Sequence, residues 1–202
     1  LNSIYLFETS LPKIEETLPA VGGQLFLFFH GTGTISFPKT APQVLPKTYF
    51  MTPMSLAAQY QLKGPVSSIG AALTQLGWTA ITGIRADIEH DTLVRSEDVL
   101  GKAILDLRKQ CAKDLDAGLA DYADIAERLS DLLEAAIRPV SERHQKTIRL
   151  TLEWLNSSVS PKVEDLYPLL PYSQRQAQRL VAQFFGLPPS KLVRRYRAQR
   201  AG

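Results

Sequence analysis

From Ser3 to about Gly83 the chain alternates between short apolar runs and turn-forming residues. Seven runs are rich in β-branched and aromatic side chains, and turns such as Gly31-Thr32-Gly33 and Gly64-Pro65 are predicted between them. Short strands at this spacing, with no helical pattern between them, are typical of an antiparallel sandwich or small barrel. The predicted strands are Ile4–Thr9, Gln24–His30, Thr34–Phe37, Thr48–Met51, Ala57–Leu62, Ser67–Leu73 and Trp78–Thr82.

After Asp91 the apolar residues recur at helical spacing instead. One helix is predicted to start at Ser96 and to run to Cys111, and a second from Asp114 to Ile137, where Pro139 ends it. Apolar positions in the second helix alternate between steps of four and three residues, which is a heptad pattern. This seam either packs on its own domain or joins two copies in a homodimer. The seam residues are Leu115, Leu119, Tyr122, Ala126, Leu129 and Leu133.

Four helical segments are predicted after Pro139. They are Ser141–Asn156, Lys162–Leu170, Ser173–Phe185 and Pro189–Ala201. Pro171-Tyr172 and Gly186-Leu187-Pro188 connect the last three, and both are too short for anything but sharp turns. A short turn before a helix that opens on the capping residue Ser173 is the outline of a helix-turn-helix.

Charge is divided unevenly along the chain, although the net charge is only +3. Residues 1–137 hold 11 basic and 16 acidic side chains, net −5, whereas residues 138–202 hold 12 and 4, net +8. No acidic residue follows Asp165. A basic block of this kind fits a phosphate-rich partner, and the alternative is a solvated basic tail.

The helix from Ser173 to Gly186 separates into two faces. Ala177, Leu180, Val181 and Phe184 share the face predicted to be buried, at spacings of three and four residues. Arginine and glutamine side chains match the edges of guanine and adenine in the major groove, although they also suit a plain soluble surface. The predicted base contacts are Gln174, Arg175, Gln178 and Arg179, and the predicted phosphate contacts are Ser173, Lys191, Arg194 and Arg195.

Residues 163–201 resemble the first helix-turn-helix and the following linker helix of AraC-type transcriptional regulators. The positions that match the family pattern are Ser173, Arg179, Gly186, Pro189 and Arg197. The resemblance implies a sequence-specific regulator that binds double-stranded DNA, with Arg175, Gln178 and Arg179 facing the groove. Tyr167, Pro168 and Pro171 depart from the pattern, and a proline removes a backbone donor and can kink the helix that contains it.

The family carries two such units, and this sequence ends where the second would begin. We therefore expect a truncated chain. If the chain is complete, one unit would bind DNA weakly unless a dimer supplies the second.

In outline, residues 3–90 are similar to the cupin-like sensor barrels that precede AraC-type domains. The resemblance implies a small-molecule effector in the barrel. Aromatic side chains on the predicted strands either line such a pocket or simply fill the core. The candidate pocket residues are Phe26, Phe28, Tyr49, Tyr60 and Trp78.

Enzyme chemistry finds little support in the sequence. His30, His90 and His144 are scattered, so no metal site, cofactor or catalytic residue is predicted. Cys111 is the single cysteine, which excludes a disulfide framework and fits the cytoplasm. No apolar run is long enough to span a membrane.

These patterns together predict an α+β protein with three parts. Residues 1–92 form a cupin-like β sensor domain, residues 93–138 a helical dimerisation segment, and residues 139–202 a partial AraC-type DNA-binding domain. The predicted function is an effector-responsive DNA-binding regulator. The alternative is a regulatory or protein-interaction module whose helix-turn-helix no longer reads DNA.

Overall fold

An antiparallel sheet precedes a set of helices in the computed structural model, which describes the backbone of residues 1–201 and the side chains of residues 1–197. The predicted α+β class is confirmed. The strands are β1 (Ser3–Thr9), β2 (Lys13–Leu18), β3 (Gln24–Ser36), β4 (Gln43–Val44), β5 (Thr48–Met51), β6 (Ala58–Ala72) and β7 (Leu93–Arg95). The α-helices are α1 (Gln75–Thr82), α2 (Ser96–Leu100), α3 (Ala103–Asp116), α4 (Tyr122–Ala135), α5 (Glu142–Asn156), α6 (Gln174–Phe185) and α7 (Pro189–Ala201). Within residues 1–201, no helix has the length and apolar character needed to span a membrane.

Two long strands, β3 and β6, form the centre of the sheet. The strand order is β1-β6-β3-β5-β7, with β2 also on β6 and β4 also on β3. The predicted turns at Gly31-Thr32-Gly33 and Gly64-Pro65 are wrong, because each segment lies inside a continuous strand. The register of the β3–β6 ladder shifts between Phe28 and Thr32, opposite Gly64-Pro65. A bulge bends a strand without ending it, so the turn-forming residues mark a bend in the sheet.

The bend divides β6 between two partners. Residues 66–72 of β6 pair with β1, and residues 58–63 pair with β2. Carbonyl groups at the bulge of β3 accept hydrogen bonds from Arg108 on α3, whose Nε and Nη2 lie 2.8 and 2.9 Å from the oxygens of Phe28 and Phe29. These bonds replace ladder bonds lost at the bulge and attach α3 to the sheet.

Side chains of β3 alternate between two apolar clusters. Leu25, Leu27 and Phe29 pack with α1, α3 and α4 on one face of the sheet. Phe26 and Phe28 point to the other face, where strand residues form a second cluster. Since both faces are covered, β3 is an almost continuous apolar run from Leu25 to Phe29.

Trp78 lies in a helix and not in the strand predicted for Trp78–Thr82. Thr74 caps α1 by accepting a hydrogen bond from the Gly77 amide at 3.0 Å, and Gly83 ends it with φ +67°. These caps satisfy orphan backbone groups at both ends of a short helix. The capping residues therefore favour a helix in this segment, although its composition is typical of a strand.

The predicted seam does not lie on one helix. Helix α3 ends at Asp116, Gly118 adopts a left-handed conformation with φ +66°, and α4 begins at Tyr122. Leu129 and Leu133 are fully buried against the sheet of the same chain, whereas Leu119 is 76% exposed. The predicted helix from Asp114 to Ile137 is wrong, and the seam packs largely on its own domain. Leu115, Tyr122 and Ala126 are partly buried against the same cluster.

The exposed side of α4 is acidic. Asp124, Glu127, Asp131 and Glu134 are all exposed on it. Two copies of α4 placed side by side would bring these like charges together, which is unfavourable. A homodimer therefore stays a prediction. The residues of the heptad seam are not expected to form its interface.

The C-terminal helices form a third cluster. Two 3₁₀ turns, Val163–Asp165 and Tyr167–Leu169, stand where a helix over Lys162–Leu170 was predicted. Pro168 lacks a backbone donor and Pro171 holds Leu170 in an extended conformation, so an α-helix does not form. The turns still bury Leu166 and Leu170 against α5 and α6.

Candidate nucleic-acid interface and ligand cavity

Helix α6 has one buried face and one polar face. Ala177, Leu180, Val181 and Phe184 are buried as predicted. Ser173 caps the helix by accepting from the Gln176 amide at 3.4 Å. Gly186 ends it in the left-handed conformation. Both ends of the helix are therefore fixed by its own sequence.

The four predicted base-contact side chains, Gln174, Arg175, Gln178 and Arg179, are exposed on α6. Gln178 Nε2 donates a hydrogen bond to the Tyr167 hydroxyl at 2.9 Å. This bond links the helix to the 3₁₀ turn before it. The arginine and glutamine side chains of α6 are thus exposed to solvent, while its opposite face is packed in the C-terminal apolar cluster.

Three of the four predicted phosphate contacts are also exposed, and one is not. Ser173, Lys191 and Arg194 are exposed on the surface. Arg195 instead turns toward the sheet, where its Nη1 donates to the Met54 carbonyl oxygen at 3.1 Å. Arg195 therefore departs from the predicted role, because its guanidinium is occupied within the chain.

Arg195 lies in a cleft between α7 and the strands. Burial lowers the pKa of its guanidinium, while the charges of Tyr196 and Asp91 partly oppose that shift. Its buried Nε has no hydrogen-bond partner among the described residues. A second contact joins the segment after α1 to α6, since the Ala86 amide donates to the Gln183 carbonyl of α6 at 2.9 Å.

A cavity of about 320 Å³ lies on the face of the sheet opposite α1, α3 and α4. Its size is at the lower end of the range of small-molecule pockets, about 300–1,000 Å³. The walls are mostly aromatic and aliphatic. The lining residues are Tyr5, Phe7, Leu18, Gln24, Phe26, Phe28, Ile35, Leu45, Tyr49, Met51, Tyr60, Leu62 and Ser68.

Four of the five predicted pocket aromatics, Phe26, Phe28, Tyr49 and Tyr60, line this cavity. The Phe26 and Tyr49 rings stack with their centroids 5.1 Å apart. The fifth, Trp78, packs against Phe50 on the other face of the sheet, and its Nε1 donates to the Ile84 carbonyl at 2.9 Å. Trp78 is therefore a core residue away from the cavity.

Sequence reasoning missed three polar side chains of the cavity, Tyr5, Gln24 and Ser68. The Tyr5 hydroxyl donates to Gln24 Oε1. Burial raises the pKa of Tyr5 to about 12 and that of Tyr49 above its usual value, so both phenols are neutral. The alternation of β1 places Tyr5 and Phe7 on one face, but pairing with β6 was needed to show which face.

Comparisons with known proteins found similarity in structure alone. No family profile matches the chain, and no curated protein matches it. Over 98% of its length the chain is similar to the AraC-like transcriptional activator CuxR, at 13% identity, 76% coverage of that chain and a TM-score of 0.40. It is likewise similar over 98% of its length to ToxT from Vibrio cholerae, at 8% identity, 81% coverage and a TM-score of 0.49.

AraC-like regulators are among the solved structures that this chain is similar to. At 8–13% identity the similarity to these AraC-like proteins concerns the fold alone. Among the described residues, no group of three or more His, Cys, Asp or Glu side chains is arranged to hold a metal ion.

Proposed function

We propose that this protein is a DNA-binding transcriptional regulator that responds to a small effector in the sheet cavity. The observation that carries the proposal is the polar face of α6, where Gln174, Arg175, Gln178 and Arg179 are exposed above a buried apolar face. The N-terminal half of a recognition helix is where base contacts are usually made. A role on DNA also fits a cytoplasmic location.

Charge around this helix supports a nucleic-acid partner. The last acidic residue of the chain is Asp165, so α6 and α7 contain basic and neutral side chains only. Lys191 and Arg194 are exposed on α7 and supply phosphate contacts in the proposed complex. Such contacts position a protein on the duplex, whereas the side chains of α6 supply the reading of bases.

The cavity has a direct structural connection to α7. Tyr49 and Met51 on β5 line the cavity, and Met54 follows three residues later. The Met54 carbonyl receives the hydrogen bond from Arg195. An effector that moves β5 therefore changes the acceptor that holds α7. The equilibrium shifts by no more than the effector's difference in affinity for the two arrangements.

DNA binding tests the proposal on the full chain. A pool of duplexes randomised over about 20 base pairs is selected for binding, and anisotropy then gives affinities at low and moderate salt. We expect a shared sequence to emerge and affinity to fall steeply with salt. The double variant Arg175→Ala/Arg179→Ala should bind the selected duplex at least about tenfold more weakly, because one bidentate base contact alone contributes about 1–3 kcal/mol.

The matched control is Arg95→Ala/Arg149→Ala, which removes the same charge from two exposed arginines paired with glutamates. It should keep most of the affinity and all of the sequence preference. An α6 double variant that binds the selected duplex as tightly as the wild type, while remaining folded, contradicts the proposal.

Neighbouring arginines on α7 give a second prediction. Arg194→Gln should lower the slope of log affinity against log salt by about one unit, since each phosphate contact contributes about 0.9. Arg195→Gln should leave that slope unchanged, because Arg195 bonds to Met54 within the chain. Salt titrations of both variants check this, and a larger slope change for Arg195→Gln would count against the inward placement.

A protein-interaction module that no longer reads DNA is the second candidate function. The replacement of the first helix by 3₁₀ turns at Val163–Asp165 and Tyr167–Leu169 favours it, since that helix crosses the DNA backbone in the usual motif. Failure of the full chain to bind any duplex at low salt would select this alternative.

A further inference from the structure

No charged side chain is among the described residues that line the sheet cavity. Its polar groups are the hydroxyls of Tyr5, Tyr49, Tyr60 and Ser68 and the amide of Gln24. All of these are neutral at physiological pH. Moving an ion from water into such a site is costly unless an opposite charge meets it.

A negative charge lies beside the cavity residue Tyr60. Along β2, Ile14 and Leu18 pack on the cavity cluster, and Glu16 lies between them on the same face of the strand. Glu16 is directly opposite Tyr60 in the β2–β6 ladder. Burial raises the pKa of Tyr60, and the nearby Glu16 charge raises it further.

We infer that the cavity takes an uncharged, largely apolar ligand of about two fused rings, carrying one hydroxyl or carbonyl group, and excludes carboxylates. This inference rests on the proposed sensor function and names the class of its effector. An apolar cavity of about 150 Å³ holds benzene, so 320 Å³ suits a molecule roughly twice as large.

One polar group on the ligand has a defined partner. Gln24 lines the cavity, and because its Oε1 accepts from Tyr5, its amide N–H groups are the donors that it can offer to a ligand. A ligand hydroxyl or carbonyl oxygen can accept from them. A carboxylate would gain the same bond, but it would lose its hydration next to Glu16 with no cation in the lining.

Three ligands with the same ring system and different charges test the inference. They are naphthalen-2-ylmethanol, 2-naphthoate and naphthalen-2-ylmethylammonium, titrated calorimetrically into the full chain at neutral pH. We expect the alcohol to bind at least about tenfold more tightly than the naphthoate, because only the anion is desolvated without a counter-charge. The ammonium should also bind more weakly than the alcohol.

Two neighbouring positions on β2 provide matched variants. Glu16→Lys places a cation beside the lining residue Tyr60 and should raise naphthoate affinity about fivefold at low ionic strength. Glu15→Lys makes the same charge change on the opposite face of the strand and should leave naphthoate affinity nearly unchanged. Both side chains are exposed, so neither variant should unfold the sheet.

A third variant, Leu18→Trp, narrows the cavity and should weaken binding of the alcohol at least about tenfold. Naphthoate binding as tightly as the alcohol would overturn the ligand class and leave the sensor role intact. If none of the three ligands binds the folded chain, both the ligand class and the sensor role fall. The α6 variants test DNA binding separately from either result.

Discussion

Trp78→Ala should lower the free energy of unfolding by about 3–5 kcal/mol, the usual cost of removing a large aromatic side chain from a packed core. Trp78 is 2% exposed and meets Phe50 edge to face at 5.9 Å. It also packs so closely against Gly23 that a Cβ there would lie 2.0 Å from the indole ring. Chemical denaturation followed by circular dichroism measures the loss.

Trp78→Phe is the matched variant for function. It should retain much of the stability and bind naphthalen-2-ylmethanol as the wild type does, because Trp78 lies on the face of the sheet away from the cavity. A folded Trp78→Phe protein that loses ligand affinity would place Trp78 in the pocket, which is one of the two alternatives that the sequence left open for this residue. A cost below about 1 kcal/mol for the alanine variant would contradict its place in the core.

Leu129→Ala should cost about 2–5 kcal/mol of stability without changing the association state, because Leu129 is fully buried within its own chain. Leu119 belongs to the same heptad pattern but is 76% exposed, so Leu119→Ala should cost less than about 0.5 kcal/mol. Denaturation gives the stabilities, and sedimentation at several concentrations gives the mass.

A seam that joined two copies would behave differently. Leu119→Ala would then weaken association, and the cost of Leu129→Ala would depend on protein concentration. Either result would restore the seam as an interface and overturn its packing on the sheet. The acidic side chains exposed on α4 make that outcome unfavourable for two copies packed through this helix.

Local signals predicted α6 and α5 well. Ser173, Gly186 and the spacing of Ala177 to Phe184 are all within one stretch of chain, so the helix, its caps and its buried face followed from the sequence. Exposure of Arg175 and Arg179 followed from the same periodicity. Elements whose structure depends on neighbouring residues are the ones that sequence patterns describe best.

Pairing between strands that are distant in sequence could not be predicted from such local signals. Gly31 and Gly64 resemble turn residues in isolation, yet they lie across from each other in a bend shared by β3 and β6. Strand β2 was missed because Glu16 lies between Ile14 and Leu18 on the same face and interrupts the apolar alternation. The prediction of one helix that carries the seam was also wrong, because Gly118 in the left-handed conformation separates α3 from α4 within a heptad pattern that is continuous in the sequence.

The candidate site was predicted in part. Four pocket aromatics could be named because alternating strand positions share a face. Tyr5 and Gln24 could not, because their contact joins β1 to β3 across β6. Arg195 differs from Arg194 only in which way it points around α7, and the docking of α7 on the sheet decides that direction.

The hydrogen bond between Gln178 and Tyr167 fixes how the amide is turned. With one N–H held by the phenol, Gln178 keeps one N–H and its carbonyl oxygen for another partner, and adenine needs that donor–acceptor pair in the major groove. Tyr167, which departs from the AraC-type pattern, would thus hold the Gln178 amide in one orientation in the proposed complex. In the proposed DNA complex, loss of Tyr167 would weaken the preference for adenine at one base pair and leave the phosphate contacts unchanged.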